Sequence, residues 1–165
     1  MVDSGMNVLF LCTGNSARSI LAEAILNQKA PRRFRAYSAG SHPAGSVSAG
    51  ALKLLGERGI PTTGLRSKSW DEFARPDAPR FDFVITVCDN AAGELCPIWP
   101  GRPVTAHWGV PDPAAISDPI ARSRAFDEAF QLLSKRIDLL ISLPMTTRDN
   151  STMAKALREI GMAGP

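Results

Sequence analysis

Short, wholly apolar runs alternate along this chain with stretches whose apolar residues recur every three or four positions. Asn7-Val8-Leu9-Phe10-Leu11 is a β-rich run that gives way to Thr13-Gly14-Asn15, the pattern of a buried strand entering a loop. Residues 17–28 place Ile20, Leu21, Ala24 and Ile25 on one helical face, and Pro31 stops that helix. Phe34-Arg35-Ala36-Tyr37-Ser38 predicts a second strand closed by Ala39-Gly40, and residues 47–56 a second helix with Val47, Ala51, Leu54 and Leu55 inward. Ser69 followed by Glu72 predicts a short helical turn with a capping box. Residues 81–87 form the clearest central strand and 103–106 a weaker fourth. A long helix opens at Asp118-Pro119, a capping residue followed by proline, and its inward face is Phe126, Phe130, Leu133, Ile137 and Leu140. Residues 146–165 read as a polar tail with room for one short helix.

Strands that alternate with helices predict an α/β domain, a parallel sheet covered on both faces and wound with right-handed crossovers. Such sheets bind ligands beyond the carboxyl ends of their strands. The loop that begins at Cys12 falls at such a place.

Composition narrows the function classes. The 165 residues suit one domain, which at this length buries roughly 70% of its unfolded surface and needs no staples. With 44% hydrophobic and 21% charged residues the chain is neither disordered nor fibrous. A net charge of +3, scattered along the sequence, gives no footprint for nucleic acid but is compatible with a small oxyanion substrate. Neither a leader nor a membrane-length apolar stretch is visible, so the expected location is cytoplasmic, away from membranes. There the three cysteines, Cys12, Cys88 and Cys96, are packing residues or working thiols rather than a disulfide framework. Two histidines and three separated cysteines offer no metal-ligand spacing, and neither metal nor cofactor is expected.

The chemistry concentrates in Cys12-Thr13-Gly14-Asn15-Ser16-Ala17-Arg18-Ser19, which puts a cysteine at a strand end and an arginine at a helix start. Small residues let successive N–H groups point inward, and the helix N-terminus adds positive potential. Arg18 offers a planar fork for two oxygens of a tetrahedral anion. The same field is expected to lower the Cys12 thiol pKa. At about 8.5 only about 3% is thiolate at pH 7, whereas a drop of two units gives roughly 75%. The Ser16 and Ser19 hydroxyls are candidates to bond the sulfur. A bare C-x5-R elsewhere in a sequence would more often be a buried cysteine and a surface arginine; the strand-to-helix setting, with glycine, asparagine and two serines inside it, reverses that.

Two further elements follow at later strand ends. Asp112, between Pro111 and Pro113, reads equally as an Asp-Pro turn or as an acid standing over the Cys12 loop to protonate a leaving oxygen. His107 reads as a partly buried hydrogen-bonding residue rather than a partner for the thiol, and His42 as a loop residue. Cys88 and Cys96 are separated by seven residues with Asn90, Ala91, Ala92 and Gly93 among them. On their own they would be packing cysteines. Beside a thiolate at Cys12, a thiol relay across a mobile segment is the better reading, with Trp99 and Trp108 as packing or rim residues rather than a cofactor box.

At these residues the sequence resembles the low-molecular-weight tyrosine phosphatase superfamily, and within it the thioredoxin-coupled arsenate reductases. The resemblance spans roughly residues 6–143 and rests on Val8 to Ser19, on Tyr37-Ser38-Ala39-Gly40 and on Asp112-Pro113. The reductase branch is indicated by Thr13, Ser16, Cys88 and Cys96, and by Ala114-Ala115 where phosphatases of this kind usually carry tyrosines after the Asp-Pro pair. The resemblance implies a four-stranded parallel sheet in order 2-1-3-4 flanked by helices, and a single catalytic domain with its core at about 6–143. It further implies that the loop from Thr13 to Ser19 binds arsenate or a phosphate-like oxyanion, that Cys12 attacks it, and that Arg18 and Asp112 assist. Cys88 then takes the disulfide from Cys12 and Cys96 takes it from Cys88, with thioredoxin or glutaredoxin as reductant.

Three departures from the pattern stand out. Ala17 occupies a loop position where thioredoxin-coupled members often have a second cysteine, and the Cys88-to-Cys96 spacing is about one residue longer than theirs. Some members bind potassium through residues matching Asn15, Glu23 and Ser38, but their additional aspartate is replaced near Trp70, so that ion is not predicted here. Asn15 is expected to set the loop backbone, since asparagine tolerates positive φ. The alternatives are a phosphatase in which Cys88 and Cys96 are incidental, and a module that senses an oxyanion or oxidant through Cys12.

Overall fold

The computed structural model describes residues 5–88, 99, 101–144 and 149–164. Four parallel strands, β1 (Met6–Leu11), β2 (Phe34–Ala39), β3 (Phe83–Thr86) and β4 (Val104–His107), form one sheet in the order β2-β1-β3-β4. The expected order is the one observed. β1 is central and wholly apolar because both of its faces are covered: Val8, Leu9, Phe10 and Leu11 have no exposed surface. Val8 and Phe10 join one core cluster, while Leu9 and Leu11 join a smaller one with Trp70, Phe73, Phe81 and Trp99.

The helices described are α1 (Arg18–Lys29), α2 (Ala49–Glu57), α3 (Pro119–Ile141) and α4 (Asn150–Gly161). None is long and apolar enough to cross a membrane. The inward faces of α1 and α3 are buried as the periodicity requires, and Asp118 caps α3 through the Ala121 N–H at 2.8 Å. Ser69 caps the short turn Trp70–Phe73. Glu72, however, does not close the expected capping box, because both of its oxygens bind Arg66, at 2.9 and 2.7 Å.

The C-terminal segment departs from the polar-tail expectation. α4 buries Met153, Leu157 and Ile160 in the main core, and the Leu157 carbonyl accepts the Trp108 indole N–H at 2.9 Å. Only one apolar residue per turn marks that face, so a helix of 12 residues reads as polar until its partner is known. Gly161 lets the helix approach β4; a Cβ there would lie 2.3 Å from the His107 carbonyl oxygen.

Candidate active site

The carboxyl ends of β1, β3 and β4 converge because of their register. Leu11 pairs with Thr86, and Thr86 with His107. The residues that follow each strand, Cys12, Cys88 and the Gly109-to-Asp112 segment, are thereby brought to one end of the sheet. Val87 N–H donates to the Leu11 carbonyl and Val110 N–H to the Val87 carbonyl, both at 2.9 Å, which carries the strand alignment into the loops.

The Cys12 loop is held from outside by its carbonyls. His42 N–H donates to the Thr13 oxygen, Ala44 N–H to Gly14 and Ser48 N–H to Ser16, each at 2.9 Å, and the Ser67 hydroxyl adds a second bond to the Gly14 oxygen. Carbonyls drawn outward leave the loop N–H groups to face the interior, the arrangement of an anion-binding nest. α1 begins directly after it, with Ala17 at the N-cap offering no side-chain acceptor, so its first amides stay uncapped.

Asn15 fixes the loop shape. Its φ is +46° and it is fully buried, as a loop-setting asparagine should be. Its amide donates to Ser19 Oγ at 2.8 Å and Ser38 Oγ at 2.9 Å, and its carbonyl oxygen accepts the Lys68 backbone N–H at 2.9 Å. Ser38 donates onward to Glu23 at 2.5 Å. The residues matched to a potassium site in some relatives therefore sit together. The Lys68 ammonium lies 3.9 Å from the Glu23 carboxylate.

Arg18 lies across the loop. Nη1 donates to the Val110 carbonyl at 2.9 Å, Nη2 is 3.6 Å from Asp112, and the buried Nε has no hydrogen-bond partner among the described residues. Asp112 forms the Asp-Pro turn and also stands beside Arg18 at the Cys12 loop. One oxygen caps the turn Pro113–Ala115 by accepting the Ala114 N–H at 3.0 Å, and the other faces Arg18.

Cys12 and Cys88 are both buried and in hydrogen-bond contact, and the Thr13 N–H donates to the Cys88 sulfur at 3.3 Å. The expected lowering of the Cys12 thiol pKa is corrected by this neighbour. The bond to Cys88 and burial push the thiol well above its ordinary range, while Arg18 and the Gly14 N–H pull against them. Two touching thiols lose their protons in two steps that belong to the pair. Among the described residues, Cys88, Arg18 and Gly14, rather than Ser16 and Ser19, are the groups that act on the sulfur.

His107 bonds Thr86 Oγ1 at 2.7 Å, as a partly buried packing histidine should, and Trp99 and Trp108 are buried. Cys96 and the segment expected to move it, residues 89–98, lie outside the described residues. Sequence reasoning missed Lys68 and Ser67, which no motif marks. Gly40 was legible only as part of a motif, but a Cβ there would lie 2.4 Å from the Thr13 oxygen and 2.7 Å from the Cys12 oxygen.

Comparison with known proteins places this geometry. The chain is 37% identical over 107 residues to the arsenate reductase of Bacillus subtilis (strain 168), covering 65% of this chain and 73% of that protein. Its fold is similar to that of a thioredoxin-dependent arsenate reductase from Corynebacterium glutamicum, with a TM-score of 0.62 and 26% identity. That match covers 86% of this chain and 62% of the other, so this chain spans less than two thirds of that protein's length. It is also similar to a low molecular weight protein tyrosine phosphatase from T. tengcongensis, with a TM-score of 0.67, 28% identity, and 83% and 98% of the two chains covered. The family model for low molecular weight phosphotyrosine protein phosphatases matches residues 7–151, and it is to this family that the chain belongs.

Proposed function

We propose that the protein reduces arsenate to arsenite through a thiol relay from Cys12 to Cys88 to Cys96, within a single catalytic domain reset by a dithiol protein of the thioredoxin type. The observation that carries this reading is the contact between the Cys88 and Cys12 sulfurs. A phosphatase needs one thiol at the loop; a reductase needs a second thiol where it can attack the first.

The steps follow from the groups present. The oxyanion sits in the nest formed by Thr13, Gly14, Asn15, Ser16, Ala17 and Ser19, with Arg18 Nε finding an acceptor there that the described residues do not supply. The first deprotonation of the thiol pair leaves one thiolate, and at Cys12 it attacks arsenic. An S–As bond forms, and an As–O bond breaks as Asp112 protonates the departing oxygen, which leaves as water. Cys88 thiolate then attacks the Cys12 sulfur. The S–S bond forms, the S–As electron pair moves to arsenic, and arsenite departs. Cys96 thiolate attacks Cys88, freeing Cys12, and an external dithiol reduces the Cys88–Cys96 bond.

Arsenate-dependent oxidation of thioredoxin, run beside aryl-phosphate hydrolysis by the same preparation, tests the reading. Thioredoxin turnover that is abolished by C96S supports the full relay; turnover that survives C96S refutes its last step, and glutaredoxin in place of thioredoxin identifies the other reductant class. Similarity to the T. tengcongensis phosphatase favours a second reading, in which Cys12, Arg18 and Asp112 hydrolyse phosphate esters. Aryl-phosphate hydrolysis with no arsenate turnover would establish it.

A further inference from the structure

Behind the Cys12 loop a buried carboxylate and a buried ammonium face each other, and no step of the relay uses either. The Glu23 side chain is 14% exposed and that of Lys68 is 7%, with Nζ 3.9 Å from the Glu23 oxygen, an ion pair rather than a direct bond. Burial pushes the Glu23 carboxyl up and the Lys68 ammonium down, and each partner's charge opposes that shift. Lys68 Nζ is anchored by the Arg66 carbonyl at 2.8 Å. Arg66 and Glu72 are the other charged groups that act on the pair, and they are themselves ion-paired.

The donor directions link this pair to the loop. Asn15 Nδ2 donates to Ser38 Oγ, and the Ser38 hydroxyl donates onward to Glu23. The chain has this polarity when Glu23 is an acceptor. Asn15 is the residue held at positive φ inside the nest.

We propose that Lys68 is a built-in cation that balances the buried Glu23 carboxylate and, through Ser38, holds Asn15 and with it the oxyanion loop in its binding shape. Lys68 is a positioning residue: it touches Glu23 and the loop's support, not the reacting atoms. The inference rests on the oxyanion-binding reading of the loop but not on arsenate reduction.

The test uses inorganic phosphate as probe, its affinity measured by calorimetry and by protection of Cys12 from alkylation, on the full chain. K68A is expected to weaken phosphate binding about tenfold or more, the scale of a lost charge-assisted hydrogen bond. Ammonium or methylammonium at tens of millimolar should restore binding to K68A and leave wild type unchanged, which a merely structural lysine would not allow. The double variant E23Q/K68A should recover binding without added amine, because glutamine accepts from Ser38 and carries no charge to balance. Unchanged phosphate affinity in K68A overturns the inference, as does a loss that neither the amines nor E23Q repairs. If wild type itself fails to bind phosphate, the loop reading falls and this inference falls with it; phosphate binding without arsenate turnover overturns only the proposed reaction.

Discussion

Gly40 follows β2 where that strand runs beside β1, and the backbone of the Cys12 loop passes directly over it. A methyl group there would sit 2.4 Å from the Thr13 oxygen, 2.7 Å from the Cys12 oxygen and 3.0 Å from the Asn15 nitrogen. An ordinary C···O contact is about 3.4 Å, so the loop must rise by roughly 1 Å to admit it. All three obstructing atoms are backbone, and the loop carbonyls are tied to His42, Ala44, Ser48 and Ser67, so no side-chain rotation relieves the contact. Overpacking of this kind costs about 1–3 kcal/mol of stability. A reacting group misplaced by roughly 1 Å costs on the order of 100-fold in rate. G40A is therefore expected to lower kcat/KM for arsenate about 100-fold, and phosphate affinity with it, while lowering thermal stability only moderately. Chemical denaturation measured alongside the kinetics separates the two effects. A folded G40A protein with kcat/KM within about threefold of wild type would refute the claim that this close approach sets the loop.

C88S replaces the neighbouring thiol by a hydroxyl that does not titrate, which ends the coupling that raises the Cys12 thiol, so the apparent pKa of Cys12 should fall. The pH profile of its alkylation would then shift to lower pH in C88S, and an unchanged profile contradicts the pairing of the two sulfurs. Removing the fully buried indole that holds α4 to β4 in W108A should cost about 3–5 kcal/mol by urea denaturation. A loss below about 1 kcal/mol would mean that the C-terminal helix contributes little to the core. D118A loses the side-chain acceptor for the Ala121 N–H at the start of α3, and about 1 kcal/mol of stability should go with it while arsenate turnover per folded molecule is unchanged.

Much of this protein is determined locally and is legible in the sequence. β1 and β3 are apolar-rich runs of six and four residues, α1 to α3 have faces set by 3.6-residue periodicity, and Asp118-Pro119 and Ser69 announce their own caps. The oxyanion loop is legible for the same reason. Cys12, Gly14, Asn15 and Arg18 lie within seven residues of one strand-to-helix segment, so the residue types are legible there although distant groups hold the conformation. Where neighbours compete, local signals lose. Glu72 fits a capping box but binds Arg66, and α4 looks polar but packs against β4.

What only the tertiary structure decided is which distant groups share the loop. The contact of Cys88 with Cys12 and the approach of Asp112 to Arg18 follow from strand register, Leu11 against Thr86 and Thr86 against His107, since parallel strands in register end together. No periodicity encodes register across dozens of residues. It is set by the fit of whole faces against the core. The same contact reversed the direction expected for the Cys12 thiol, because proton affinity answers to neighbours in space: the loop's own field lowers it, and a second buried sulfur delivered by β3 raises it further. Lys68 was invisible for the same reason, one charged residue among many until the fold set its ammonium beside the buried carboxylate of Glu23.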